Sequence, residues 1–202
     1  MKQVFQTTAI LLISATSLLV SCSTTNRLSS VSANEAKTLI NGWPSKTKEV
    51  ANTVMAKYGP PAEVTGTMLV WHNNGPWKKT ILHKEPVQHN FPMQHPDLLE
   101  QFINYSVPED KYDELAHYDG SVMVARTLGE ISARCDKEEA NFLALNLAND
   151  IATGKKSVEE ARTYYARAIK EMMQGKMDPY LQGLKFATNL GNTKDPDVPA
   201  KM

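Results

Sequence analysis

Two runs of strand-forming residues, Thr67–His72 and Lys78–His83, flank the dipeptide Asn74-Gly75, and no other feature constrains the fold as strongly. Asn and Gly both accept positive φ, so this pair between two such runs predicts a tight hairpin and with it an antiparallel sheet. Pro76 follows directly and can donate no ladder hydrogen bond, which leaves the turn type open. With Asn74-Gly75 as the loop, Trp77 falls opposite His72. His72 and His83 then stand roughly 20 Å apart, at about 3.3 Å per residue, and cannot share an ion.

The rest of the chain supplies helices and a second hairpin. Ala33–Ile40 reads as a short helix closed by Asn41-Gly42. Ser45 suits the N-cap of a helix whose Val50, Ala51, Val54, Met55 and Tyr58 share one face, and Gly59-Pro60-Pro61 stops it. Glu85–Pro96 holds three prolines without periodicity and reads as an ordered loop. Gln101–Val107 alternates as a strand, and Pro108–His117 reads as a helix with Pro at its first position. Ser121–Arg126 and Glu130–Cys135 form the second candidate hairpin, where Arg126, Glu130 and Arg134 could make a cross-strand charge pair. Asp136 with Glu139 suits a capping box for a helix apolar nearly all round from Ala140 to Ile151, the mark of a buried helix. Asn141, Asn146 and Asn149 on its remaining arc then need hydrogen-bond partners. Ser157 and Glu160 make a fuller box for an amphipathic helix that runs to Gly175. After Leu190 the tail has little to bury and reads as loose. The expected fold is α+β, a mainly antiparallel sheet built from hairpins with several helices packed on one face.

The amino terminus reads as an export signal. Lys2 precedes a 12-residue apolar run, Ala9–Val20, which suits a signal-peptide core and is short of the roughly 20 residues of a membrane span. The run ends in Leu19-Val20-Ser21-Cys22, which resembles the lipobox of bacterial lipoproteins. That resemblance implies cleavage before Cys22, a thioether-linked diacylglycerol on its sulfur and acylation of its new amino group. Ser23 rather than an aspartate follows the cysteine. By resemblance to enteric bacteria, this implies delivery to the outer membrane, facing the periplasm. The expected organisation is a signal peptide over residues 1–21, a Ser/Thr-rich flexible tether over 22–32, one α+β domain over 33–190 and a loose tail over 191–202.

Removing the 21 residues before Cys22 from the 202 leaves 181, enough for one domain with a sizeable core. Their removal takes away Lys2 and leaves 21 basic against 22 acidic side chains, so charge makes no case for nucleic acid or for anionic lipid. Membrane attachment must come from the acyl chains at Cys22. With Cys22 lipidated, Cys135 is the one remaining thiol and no internal disulfide can form. Cys135 reads as a small buried hydrophobe, with a nucleophile assisted by a histidine brought near in the fold as the alternative.

Trp71–His95 gathers two of the three tryptophans and four of the five histidines, and it is therefore the candidate site. Trp71, His72, Asn73, Asn74, Trp77, His89, Asn90, Phe91 and His95 supply flat rings and amides suited to recognising a small molecule or an envelope partner. The expectation is a partly exposed site, with Asn73, Asn74 and Trp77 at the hairpin tip and the His89–His95 loop folded near it. Tryptophans on a hairpin equally serve cross-strand packing. There is no G-x-S-x-G, no S-x-x-K, no phosphate-cradling glycine loop and no paired-cysteine zinc pattern, so no catalytic residue can be assigned and no cofactor is expected. A metal site would have to draw on His72, His89 and His95 with Asp97 or His117. The spacing His89-x5-His95 fits no standard zinc motif, and histidines satisfied within the structure are the plainer account.

The segment from Tyr58 to Arg162 contains YGPPAEVT, WHNNGPWKKT, HNFPMQH, DGSVMVARTLGEISARC and NFLALNLANDIATGK. In these stretches it resembles bacterial proteins of no assigned function, which implies an ordered domain and transfers no functional residue. A helix followed by Tyr-Gly-Pro-Pro, with strands ending in Trp, is also similar in architecture to small envelope-assembly lipoproteins. Two functions remain open: a lipid-anchored binding or structural module, and an envelope enzyme using His72, His89 and His95. Three histidine or carboxylate side chains converging in one cleft favour the enzyme, whereas dispersed, packed histidines favour the module.

Overall fold

The computed structural model describes residues 31–188 and 191–202. The signal segment and all of the expected tether up to residue 30 lie outside the described residues. Val31 packs on the core, and Ser32 closes a capping box with Glu35 at the start of α1 (Ala33–Leu39). Helix α2 (Ser45–Tyr58) follows, then strands β1 (Glu63–Val64), β2 (Met68–Asn74), β3 (Trp77–His89) and β4 (His95–Asn104). A 3-10 turn leads into α3 (Tyr112–Tyr118), then come β5 (Val122–Ala125), β6 (Glu130–Cys135), α4 (Glu138–Ala152) and α5 (Val158–Met173). Among the described residues no helix is long and apolar enough to cross a membrane.

The fold is α+β, with one six-stranded antiparallel sheet in the order β1-β2-β3-β4-β6-β5. Strand alternation puts Leu69, Trp71, Leu82, Leu99, Ile103, Ile131 and Cys135 on one face. All the large helices pack there. Helices α1 and α2 cover β2 and β3 through Ala36, Ile40, Val50, Ala51 and Val54. Helices α4 and α5, with α3, cover β4, β6 and β5 through Leu143, Leu147, Tyr165 and Ala168. Nearly every residue of α4 is buried, as its all-round apolarity predicts. Its three asparagines find partners: Asn141 donates to Leu99 O and Gln101, Asn146 donates to Tyr180 O and Gly183 O, and Asn149 accepts from Tyr105. The opposite face mixes polar side chains with apolar ones such as Val70, Ile81 and Phe102. There Glu100 takes bonds from His83 and Ser132, and Lys79 stands 4.0 Å from the centre of the Phe102 ring.

Several local expectations are corrected. The first hairpin turns one residue later than Asn74-Gly75: Asn74 pairs with Trp77 and His72 with Lys79, so Gly75-Pro76 is the loop. Gly75 has φ 62°, and a side chain there would strike the Tyr58 ring at 2.8 Å. Gly at the first loop position suits the type II′ turn, and Pro76 at the second needs no ladder donor. Glu85–Pro96 is not a loop. His89 pairs with His95, Gln88 with Pro96 and Val87 with Asp97, and the prolines are absorbed by an irregularity between Leu82 and Val87 and by a return at Asn90–Gln94.

Neither Ser45 nor Asp136 caps its helix. Pro44 and Lys137 hold those positions without side-chain bonds, and the Asp136 carboxylate instead meets Lys46 at 3.3 Å. The Ser157–Glu160 box forms as expected. Part of the tail is tied down: Thr193 is buried and donates to Gly129 O and Arg126 pairs with Asp195 and Asp197, while residues 198–202 are exposed. Arg126 is thereby drawn away from Glu130, which pairs with Lys78.

Candidate functional site

Strand β3 separates the two halves of the candidate window. The Gly75-Pro76 turn lies at one end of this 13-residue strand and the Asn90–Gln94 return at the other, roughly 35–40 Å apart at about 3.3 Å per residue. The expectation that the His89–His95 segment folds near the hairpin tip is therefore corrected. The tip residues are mostly structural. Trp71 is buried beneath α2 and donates from Nε1 to Gly59 O at 2.9 Å. Trp77 is 1 % exposed, stacks on Phe142 with ring centres 4.7 Å apart and donates from Nε1 to Glu138 Oε1 at 2.6 Å. It presents no face to a partner. Asn74 is buried and donates to Thr80 Oγ1, Asn73 is exposed with φ 50°, and His72 pairs on the surface with Glu63.

At the other end of β3 the histidines converge. Antiparallel pairing sets His89 across from His95, and period-two alternation puts Asp97 on the same face as His95. The two rings lie 4.9 Å apart. His95 Nε2 is 3.1 Å from Asp97 Oδ1, and His89 Nδ1 is 3.4 Å from Asp97 Oδ2. His95 Nδ1 bonds Met93 O at 2.8 Å. The corner between α3 and β5 completes the cluster: Ser121 donates to Asp97 Oδ2 and lies 3.2 Å from His89 Nδ1, while Asp119 Oδ1 is 3.7 Å from His89 Nε2. Although His95 is close, its N–H is not aimed at Asp97 Oδ1. That oxygen is buried and has no hydrogen-bond partner among the described residues.

The electrostatics follow from this packing. The Asp97 carboxylate beside it pushes the His95 imidazole up to about 11, so the ring keeps its proton at neutral pH. Burial pushes Asp119 above the usual carboxylate range, against the Ser121 N–H and His89. Burial likewise pushes the Cys135 thiol up, with His95 opposing more weakly. A protonated His95, its Nδ1 bonded to Met93 O, cannot take a proton from Cys135, so the geometry does not make a thiol nucleophile.

His95 and Cys135 line a cavity of about 270 Å³ between the Asn90–Gln94 return, the β6–α4 junction and α5; Pro92, Met93, Tyr165 and Met172 form its apolar walls. Phe91 packs beside it against Tyr165 and beneath the Arg162 guanidinium, and Asn90 is exposed. A second cavity of about 290 Å³ separates α2 from the start of α4, with Glu138 in its lining. Glu138 accepts from Lys57, Tyr58, Trp77 and Gln101 and is fully satisfied, which makes it a structural junction. Burial alone would raise its carboxyl, but the bonds from Lys57, Tyr58 and Trp77 outweigh that and hold it below the usual range.

Of the residues singled out for a metal, His89, His95 and Asp97 come together, with donor atoms all within 4.8 Å of one another. His72 and His117 are exposed elsewhere and do not join them. Asp119 and Ser121 went unrecognised because Asp119-Gly120 reads as a turn, and only the packing of α3 and β5 carries it to the histidines. No protein family, curated protein or solved structure matches the chain.

Proposed function

We propose that the chain is an exported, lipid-anchored envelope protein, attached through Cys22 to the periplasmic face of the outer membrane, whose domain binds a ligand or envelope partner at the cavity beside His95. His95 at the wall of that cavity, with His89 and Asp97 clustered behind it, carries the reading. Packed structural histidines would be dispersed, as His72, His83 and His117 are, whereas His89 and His95 share one polar cluster with Asp97, whose Oδ1 has no hydrogen-bond partner among the described residues. The Met-rich walls with Tyr165 suit an occupant with an apolar body. By the criterion of converging side chains the cluster favours a second reading, an enzyme with its centre at His89, His95 and Asp97 and without His72, whereas the binding reading rests on the apolar cavity that His95 lines. The Leu19–Cys22 lipobox and Ser23 support the anchoring and its destination.

The test is in-cell photo-crosslinking from the full-length chain with a metabolically labelled fatty acid present. A photo-reactive side chain replaces either Met173, exposed at the cavity rim, or Met123, exposed on the opposite face of the sheet. Discrete adducts from Met173 but not Met123, with label on the wild type and none on Cys22→Ser, are the expected outcome. Equal adducts from both positions, or none from Met173, overturn the cavity as the site. Label retained by Cys22→Ser overturns the anchor.

A further inference from the structure

We propose that His89, His95 and Asp97 form a binding site for a divalent transition-metal ion of the zinc class, with His89 Nδ1, His95 Nε2 and the Asp97 carboxylate as its ligands. The inference rests on the cavity reading and names the ligand chemistry at its polar wall. The distances come first. Bonds of about 2.0–2.2 Å to a tetrahedral ion hold neighbouring ligand atoms about 3.3–3.6 Å apart. The two imidazole nitrogens lie 3.1 Å and 3.4 Å from the nearer oxygens of Asp97. The three donor atoms all lie within 4.8 Å of one another, so an ion would draw them together by up to about 1 Å and would displace the proton that His95 holds in the metal-free chain.

The orientation of each ring agrees. Met93 O, bonded to His95 Nδ1, directs Nε2 toward Asp97. His89 Nδ1 faces Asp97 Oδ2 at 3.4 Å but also lies 3.2 Å from Ser121 Oγ, a contact that an ion would displace, and Asp119 at 3.7 Å from Nε2 is a charge neighbour rather than a hydrogen-bond partner. A carbonyl behind the non-ligating nitrogen, as at His95, is the arrangement that fixes the tautomer of a metal-binding histidine. Ser121 plays a similar part for Asp97: its hydroxyl donates to Oδ2 and leaves Oδ1 turned into the cluster.

The independent observation is Asp97 Oδ1 itself. Asp97 is 3 % exposed, and this oxygen has no hydrogen-bond partner among the described residues. The His95 imidazolium 3.1 Å away offsets its charge without a hydrogen bond, and a bound cation would take over that role while supplying the missing direct contact. Two imidazoles and one carboxylate suit zinc-class ions rather than calcium or magnesium, which take oxygen ligands, or copper(I), which prefers sulfur. Three protein ligands leave a fourth position for water or for an occupant of the cavity that His95 lines.

The full-length chain, purified in detergent and stripped with a chelator, is titrated with Zn²⁺ against a chromophoric chelator, and with Co²⁺ followed by its visible bands. One ion per chain with a four-coordinate cobalt spectrum is expected. His89→Ala, His95→Ala and the near-isosteric Asp97→Asn should each weaken binding by at least about tenfold. His72→Ala and His83→Ala should leave it unchanged, and circular dichroism of Asp97→Asn checks that the fold is retained. No bound ion, or an ion that survives the loss of all three ligands, overturns the site as adventitious binding. If zinc fails to bind while Met173 adducts persist, the metal falls and the cavity reading stands; zinc bound without adducts gives the reverse.

Discussion

Trp77 and His95 lie in the same sequence window, yet their surroundings differ because each is packed by residues far along the chain. The Trp77 indole stacks on Phe142 and bonds Glu138, both in α4. Nothing near Trp77 in sequence announces that helix, so beside two asparagines at a turn it reads as a displayed side chain. Trp77→Ala should therefore cost about 3–5 kcal/mol of stability, as for other buried aromatics, by equilibrium denaturation with an unchanged slope. A loss below about 1 kcal/mol would show that the indole is not part of the core. The metal candidates were partly legible. The density of histidine marks the region, and the strand pairing that selects His89 and His95 over His72 emerges only when Glu85–Pro96 is seen to pair as strands. Asp119 and Ser121 had no signal beyond a turn.

Elements specified by short-range chemistry were the most legible. The Ser157–Glu160 box and the amphipathic α5 depend on contacts three or four residues apart, and both form as read. Elements that depend on distant partners were misread, and the tail is the plainest case. Gly129, with φ 62°, forms the β5–β6 turn against the Thr193 backbone, and an added Cβ would lie 2.2 Å from Thr193 O. Gly129→Ala should destabilise the chain by more than about 1 kcal/mol and free residues after Gly191 to proteases. Arg126→Ala removes only partly exposed ion pairs and should cost less than about 1 kcal/mol. Equal protease resistance of Gly129→Ala and the wild type would show that the clasp does not hold the tail.

For the whole molecule, the α+β class followed from the alternation of hairpins and capped helices. The division of the helical cover into an α1–α2 half and an α3–α4–α5 half did not, because it depends on strand order. Glu138 joins the halves, taking bonds from Lys57 and Tyr58 of α2, Trp77 of β3 and Gln101 of β4. Its carboxyl is depressed in the folded chain, so its contribution is present above the unfolded value of 4.5 and is lost as pH falls through the lower folded value. Wild-type stability should decline on acidification below about pH 4.5, and Glu138→Gln should flatten that decline while being less stable at pH 7. Parallel curves for the two proteins across pH 2–7 would show that the charge at this junction is not coupled to folding. The anchoring of Val31 and Ser32 on the domain also sets a height. If Cys22 carries lipid as proposed, the nine residues to Val31 span at most about 30 Å, whatever path they take. A domain leashed that closely samples a thin shell above one leaflet, so whatever fills its cavity must itself reside within, or pass through, that shell.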